Sequence, residues 1–367
     1  MTITTTPVSA LALLLAAVGC GSLAEEPADA AIDGMTADAA MDVDAEAPRA
    51  NHVFATSTLH AGDLGGLSGA DVVCNTRAAA AGLSGEYVAY LSIAGTHALD
   101  RLGTARGWQR RDGRPFAIDR DGLAAGRVLY PVALDEHGGD APGEVWTATA
   151  GGRHDASGAC DRWTSRDAAD RAGAGDTRGG PVSFSASGTG ACDVPRRLLC
   201  LGVDRQHDLP PPSASGRLAF VTRGSIAGTA GLPAFDALCR QEATTAALAG
   251  EFWALVSTGV LAPADRFTLT GAAWVRPDGV ALVDAAADLD GADALVAPIA
   301  VTADGLEYVD ATAWTGGAGF GAVNPNCASW SGSGSGIVGR SSLSGPGGAT
   351  QTGVACATSQ RVYCLRI

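Results

Sequence analysis

Apolar residues along this chain come in short runs separated by long stretches of Gly, Ser, Thr and Asp. Val53 to Ser57, Tyr87 to Ser92, Arg127 to Val132 and Leu198 to Leu201 read as strands, and Phe252 to Ser257, Ala294 to Ile299 and Val362 to Leu365 read as counterparts of the last three. An alanine-rich helix is expected over Gly69 to Ala81, with Cys74 near its start, Asp71 in its first turn and Gly82 stopping it. The pattern predicts loops around a modest helix and sheet core.

The cysteines show that this pattern is written twice. Cys74, Cys160, Cys192 and Cys200 are spaced by 86, 32 and 8 residues, and Cys239, Cys327, Cys356 and Cys364 by 88, 29 and 8. The flanking text repeats as well. Gly66-Leu67-Ser68-Gly69-Ala70-Asp71 corresponds to Gly231-Leu232-Pro233-Ala234-Phe235-Asp236, and Ala81 to Tyr87 corresponds to Ala246 to Phe252. Such self-similarity marks a tandem duplication. Each copy, 51–202 and 217–367, is long enough for a core of its own. Four cysteines allow about three pairings per copy. Cys200 and Cys364 fall in terminal strands that can return beside the first helix, which favours nested bridges.

The ninth cysteine, Cys20, follows the apolar run Leu11 to Ala17, which suits a signal peptide and is too short to span a bilayer. Ala17-Val18-Gly19-Cys20 resembles a bacterial lipobox, so residues 1–20 are expected to be a signal peptide ending at a lipidated Cys20. Export would place the other eight cysteines in an oxidising compartment. Residues 21–50 hold eight acids against Arg49, a composition expected of a disordered acidic tether. A second break, 203–216, contains Pro210, Pro211 and Pro212 and is expected to be an extended linker. Net charge is −2 over 51–202 and −4 over 217–367, without the basic balance of a nucleic-acid binder.

One family resembles this text. Gly65 to Asp71, Cys74, Ala81 to Tyr87, Leu91-Ser92, Val128-Leu129-Tyr130-Pro131, Val145-Trp146-Thr147 and Cys160-x-x-Trp163 are similar to the endostatin domain of collagens XV and XVIII. The second copy keeps the frame in Ala297-Pro298-Ile299, Ala313-Trp314-Thr315 and Cys327-x-x-Trp330. The resemblance implies an α+β class: two tandem C-type-lectin-like, disulfide-stapled domains. It pairs Cys74 with Cys200 outside Cys160 with Cys192, and Cys239 with Cys364 outside Cys327 with Cys356. No Gly-X-Y repeat accompanies it, so collagen itself is not implied.

The family's activities transfer only in part. Its zinc site would use histidines near the domain start and a later aspartate. His52 matches, but the upstream positions hold Asp42 and Asp44 and the later one Gly126. Heparin-like binding needs clustered cations. Arg106, Arg110, Arg111 and Arg114 around Trp108, with Arg162 and Arg166 near the inner bridge, are candidates for an anion-binding face, but acids are interspersed among them and a mixed, solvated surface is the favoured reading. Asp119-x-Asp121-Gly122 and Asp288-x-Asp290-Gly291 recur at matching places and are weak calcium candidates, better explained as aspartate turns between strands. Asn324-Pro325-Asn326 is the nearest approach to a lectin calcium loop and reads as a proline turn. Gly334-x-Gly336-x-x-Gly339 lacks a preceding strand and reads as a glycine-serine loop, and Trp163 and Trp330 read as core.

No cofactor is therefore expected, and no catalytic constellation. The sequence reads as a noncatalytic lipoprotein of the cell surface or envelope, held by a lipid anchor at the outer membrane or another envelope membrane, or else secreted. Its partner would be a polysaccharide or an extracellular or envelope protein. The rival readings are an exported glycan-acting enzyme and a purely structural envelope component.

Overall fold

The main helix of each copy is positioned by three small or apolar residues on one face. In the computed structural model, which describes residues 50–367 apart from 292 and 294, helix Gly66–Ala80 buries Ala70, Cys74 and Ala78. Helix Leu232–Thr245 buries Phe235, Cys239 and Ala243. The spacing of four places one stripe against the sheet. The first helix begins three residues earlier than the sequence suggests, because Gly65 and Gly66, both at φ 77°, turn the chain into it. Gly82, at φ 69°, follows its end as expected.

Each stripe is bolted to the strand that closes its copy. Cys74 bonds Cys200 and Cys239 bonds Cys364, while Cys160–Cys192 and Cys327–Cys356 lie inside these spans. In the first copy, strand Arg197–Gly202 lies antiparallel to Asn51–Ala55 and Tyr87–Ala89 and parallel to Glu144–Trp146. Arg171–Asp176 and Gly188–Ala191 extend the sheet beyond Glu144–Trp146. In the second copy, Ser359–Arg366 pairs in the same sense with Arg217–Val221, Phe252–Ala254 and Thr312–Trp314, and Ser335–Arg340 and Thr352–Ala355 continue outward. The chain is thus a mixed α and β protein with four disulfides. No helix among the described residues is long and apolar enough to cross a membrane.

Alternation along the strands separates two cores in each sheet. Val53, Ala55, Leu199 and Leu201 pack with Trp108 and Phe116, whereas Phe54, Leu198 and Cys200 pack with Trp146 and Trp163 on the helix side. The second copy divides in the same way, Ala219 and Val221 on one side and Phe220 on the other.

Three expectations need correction. Arg127 to Val132 do not form a strand, and neither do residues 295–299, the described part of the Ala294 to Ile299 run. Pro131 and Pro298 carry no N–H for a ladder, and Leu129 and Tyr130 are drawn into another core. Ser335–Arg340, expected to be a loop, is a strand. A side chain at its Gly339 would stand 1.8 Å from the Gly348 carbonyl oxygen, so glycine there serves close packing. Asp119 and Asp288 lie at short helices, Arg120–Ala124 and Ala286–Asp290, rather than at turns between strands.

The two copies also join more closely than a linker requires. Leu129 and Tyr130 belong to the second copy's core, with Trp274, Leu282, Leu295 and Ile299. The Tyr130 hydroxyl accepts the Ala281 N–H at 2.9 Å. Arg276, with no exposed surface, pairs with Asp278 and donates to the Leu129 and Pro298 carbonyls at 3.3 and 3.4 Å. Gly179 pairs antiparallel with Leu343. Gly180 N–H donates to Ser342 O at 2.6 Å, and Ser344 N–H donates to Arg178 O at 3.0 Å. Gly179 and Leu343 each stand thirteen residues before the second cysteine of an inner bridge. Matching segments therefore meet about a local two-fold, the self-complementary pattern of a symmetric dimer. The proline segment is pinned at both ends, Leu209 N–H to Ile118 O at 3.1 Å and Ala214 N–H to Gly279 O at 3.0 Å. Ala47–Ile367 forms one compact unit.

Candidate functional site

Beside each inner bridge the backbone does something L-residues rarely do. Cys160, Asp161, Arg162 and Trp163 all have positive φ, from 46° to 68°, and so do Cys327, Ala328, Ser329 and Trp330, from 51° to 65°. Left-handed turns cost about 1–2 kcal/mol per residue, so their surroundings must hold them. Trp163 is fully buried, its backbone N–H bonds Ala159 O at 2.7 Å and its indole N–H bonds Ser92 O at 3.0 Å. The Trp330 indole bonds Ser257 O at 2.6 Å in the same way. Both tryptophans are core, not exposed platforms for a sugar ring.

With its first and last side chains tied inward, the turn presents its middle pair to solvent. Asp161 and Arg162 line an open groove of about 570 Å³ with Gly66, Leu67, Ser68, Ile93, Thr96 and Thr164. The first turn of helix Gly66–Ala80 faces this groove, where its free N–H groups favour negative charge. Arg162 is exposed. No described residue bonds or ion-pairs with its guanidinium, whereas most arginines of the first copy have partners.

The other candidate arginines do not share this groove. Arg106 pairs with Asp208. Arg110 is buried, pairs with Asp112 at 2.6 Å and donates to Pro131 O at 3.0 Å. Arg114 bridges to Asp284 of the second copy at 2.6 Å and lies over the Tyr130 ring. The Arg111 Nε is buried without a partner. Arg166 is largely exposed, 3.7 Å from Asp63. The cluster around Trp108 is thus mostly wired into the fold and the junction, and of the six candidates Arg162 and Arg166 are the exposed residues.

The metal candidates are placed as follows. Among the described residues no three His, Cys, Asp or Glu side chains come together as a metal site. Asp119 caps its short helix by accepting the Gly122 N–H, and Asp288 accepts the Ala285 N–H at 2.8 Å. Asp121 and Asp290 are exposed. His52 is half-buried; burial first, then Arg111, hold it below the ordinary imidazole range, and its Nδ1 has no hydrogen-bond partner. Asn326 is occupied by Ser257, Thr258 and the Ser329 N–H. Cys20 lies outside the described residues.

One buried polar network was missed by sequence reasoning. The Glu136 side chain has no exposed surface and accepts Ser57 N–H at 2.8 Å, Ser57 Oγ–H at 2.5 Å and Arg77 Nε–H at 2.7 Å. Burial pulls its pKa upward, but the bonds from Ser57 and Arg77 prevail and hold the carboxyl below its usual range. In the second copy the roles are exchanged. Glu242 stands where the first helix has Arg77 and accepts the Arg223 and Gly224 N–H groups, both at 2.8 Å. Ala303 replaces Glu136, leaving a cavity of about 160 Å³. Because both copies spend a carboxylate on the same turn, the network is a clamp for the strand end.

A second cleft, of about 480 Å³, lies at the junction, lined from the first copy by Pro142, Gly143, Asp176 and Arg178 and from the second by Leu343, Ser344, Thr350 and Gln351, among others. Arg178 is held there by Asp140 at 3.1 Å and Asp293 at 2.5 Å. No protein-family model and no curated protein matches this chain.

Proposed function

We propose that this protein is a noncatalytic binding protein of the cell surface, lipid-anchored at Cys20, whose two endostatin-like, C-type-lectin-like copies carry a site for acidic polysaccharide. The single observation that carries this reading is Arg162, an exposed guanidinium without a partner among the described residues, set in the groove at the start of helix Gly66–Ala80. A uronate or sulfate group is the chemistry a fork-shaped cation beside free N–H groups accepts. The Ser68, Thr96 and Thr164 hydroxyls and the Asp161 carboxylate can meet the sugar hydroxyls. The four disulfides suit the oxidising exterior that such a ligand occupies. The second copy has Ala328 and Ser329 where the first has Asp161 and Arg162, so the acidic ligand belongs to the first copy.

The test is binding of oxidised residues 51–367 to neutral, uronate and sulfated polysaccharides at low and high salt, with Arg162→Ala beside the wild type. Binding to the anionic chains should fade with salt and fall about tenfold in the variant, the loss of one charge-assisted contact worth about 1.4 kcal/mol. Equal binding by the variant would sink the assignment to this groove. Absence of polysaccharide binding under all conditions would move the search to protein partners.

A further inference from the structure

Carboxylates drawn out of water usually pair with a cation, and the half-buried Asp176 forms no ion pair with a described residue. It ends strand Arg171–Asp176, directly opposite Glu144 on the neighbouring strand, so the two acids share a face. One Asp176 oxygen accepts the Arg178 N–H at 2.8 Å; among the described residues the other oxygen has no hydrogen-bond donor and no cation forms an ion pair with the carboxylate. Its charged neighbours are otherwise engaged: Glu144 with Arg196, Arg178 with Asp140 and Asp293, and Arg340 with Asp310. Burial first, and repulsion from Glu144, raise its pKa above the ordinary carboxylate range against the pull of Arg178 and Arg340. An acid without an ion-pair partner among the described residues, lining a cleft with its pKa raised, is a candidate functional position.

The cleft around it is built by both copies and has the size of a small-molecule site, within the usual range of about 300–1,000 Å³. Gln351, an exposed residue, lines the same cleft, and its side-chain amide has no hydrogen-bond partner among the described residues. Gly347 makes room for that amide, since a side chain there would come within 3.0 Å of the Gln351 Nε2. Thr350 and Ser344 are already committed, Thr350 to Gly317 and Ser344 to Arg178. The unused groups are thus one anionic acceptor and one amide, bordered by Leu343, Pro346 and Pro142. A neutral sugar would leave the charge unanswered, and an acidic one would be repelled.

We infer that the junction cleft is a second binding site, distinct from the Arg162 groove, for a sugar carrying a free primary ammonium group, with the ammonium on Asp176 and hydroxyls on Gln351. The site exists only because the two copies are joined.

The experiment is calorimetric titration of oxidised residues 51–367 with glucosamine, N-acetylglucosamine, glucose and n-butylamine, using wild type, Asp176→Asn, Gln351→Ala and Arg162→Ala. Glucosamine should bind most tightly. Its affinity should fall at least tenfold in Asp176→Asn, severalfold in Gln351→Ala and not at all in Arg162→Ala. Because the ammonium needs ionised Asp176, the affinity should also decline as pH falls through the raised pKa of that acid. Glucose or N-acetylglucosamine binding as tightly as glucosamine would overturn the role of the ammonium, and butylamine binding equally would overturn the sugar. No binding of glucosamine, or undiminished binding by Asp176→Asn, would overturn the site. Polysaccharide binding through Arg162 should be unchanged in Asp176→Asn, so either site can fail without the other.

Discussion

Tyr130 decides whether the two copies stand or fall together. It comes from the first copy yet is 6% exposed inside the second copy's core, where its hydroxyl accepts the Ala281 N–H. Tyr130→Ala removes a buried ring, which costs about 3–5 kcal/mol. It also leaves the Ala281 N–H without its partner, a further loss of about 1 kcal/mol. Tyr130→Phe keeps the ring and loses only that bond, about 1 kcal/mol. Urea unfolding with disulfides intact should show one transition for the wild type. It should separate into two for Tyr130→Ala, the first belonging to the second copy. Hydrogen exchange places the damage: protection should fall in Arg217–Val221 and Ser359–Arg366, whose residues pack with Tyr130, and persist in Asn51–Ala55, whose core does not contain it. An Ala variant no less stable than the Phe variant, or exchange that rises first in Asn51–Ala55, would refute the shared core.

Three further outcomes follow from the packing. Glu136 has a depressed pKa, so its contribution is present above the ordinary carboxylate range, near 4.5, and lost as pH falls through the lower folded value. Glu136→Gln should therefore be less stable than wild type at pH 7, with the gap closing in acid; a gap independent of pH would contradict the ionised clamp, and Arg77→Ala should cost about 3 kcal/mol at pH 7 by stranding the carboxylate. Gly180→Ala would put a methyl 2.5 Å from the Pro298 ring across the junction and should lower stability by about 1–3 kcal/mol, measured by urea midpoint; an unchanged midpoint would mean the junction yields freely.

The sequence carried the duplicated frame because cysteine spacing and the helix stripes are local patterns. Cys74, Ala70 and Ala78 needed only the period of four, and Leu198 to Leu201 only its apolar run. Arg127 to Val132 misled because an apolar run followed by proline has the same letters whether it joins a sheet or enters a neighbour's core. The pairing of the arginines around Trp108 could not be read locally. Their partners Asp208 and Asp284 lie beyond the first copy, and no spacing rule connects residues 102 and 170 positions apart. Asp176 and Gln351 were invisible for the same reason: each is unremarkable in its local sequence, and only the junction brings them to one cleft. Glu136 directly precedes His137 and carries no local signal of burial; only the fold encloses it.

The left-handed turns separate scaffold from chemistry. Four consecutive residues at positive φ, in each copy, represent roughly 4–8 kcal/mol of local strain. Strain of this kind often marks a functional site, but its recurrence in both copies assigns it first to architecture. The first residue of each turn is bound in a disulfide and the last is a buried tryptophan whose indole bonds a matching carbonyl, Ser92 or Ser257. What differs is the pair between them. Asp161 and Arg162 carry opposite charges beside an open groove, while Ala328 and Ser329 carry none. The turn fixes where two side chains emerge, and substitution there changes what they recognise without disturbing the bridge or the indole. Exchanging the pairs, Asp161→Ala with Arg162→Ser in the first copy and the reverse in the second, should therefore move acidic-polysaccharide binding from one copy to the other while leaving the unfolding midpoint nearly unchanged. Loss of stability on the exchange would instead tie the charged pair to the strained backbone.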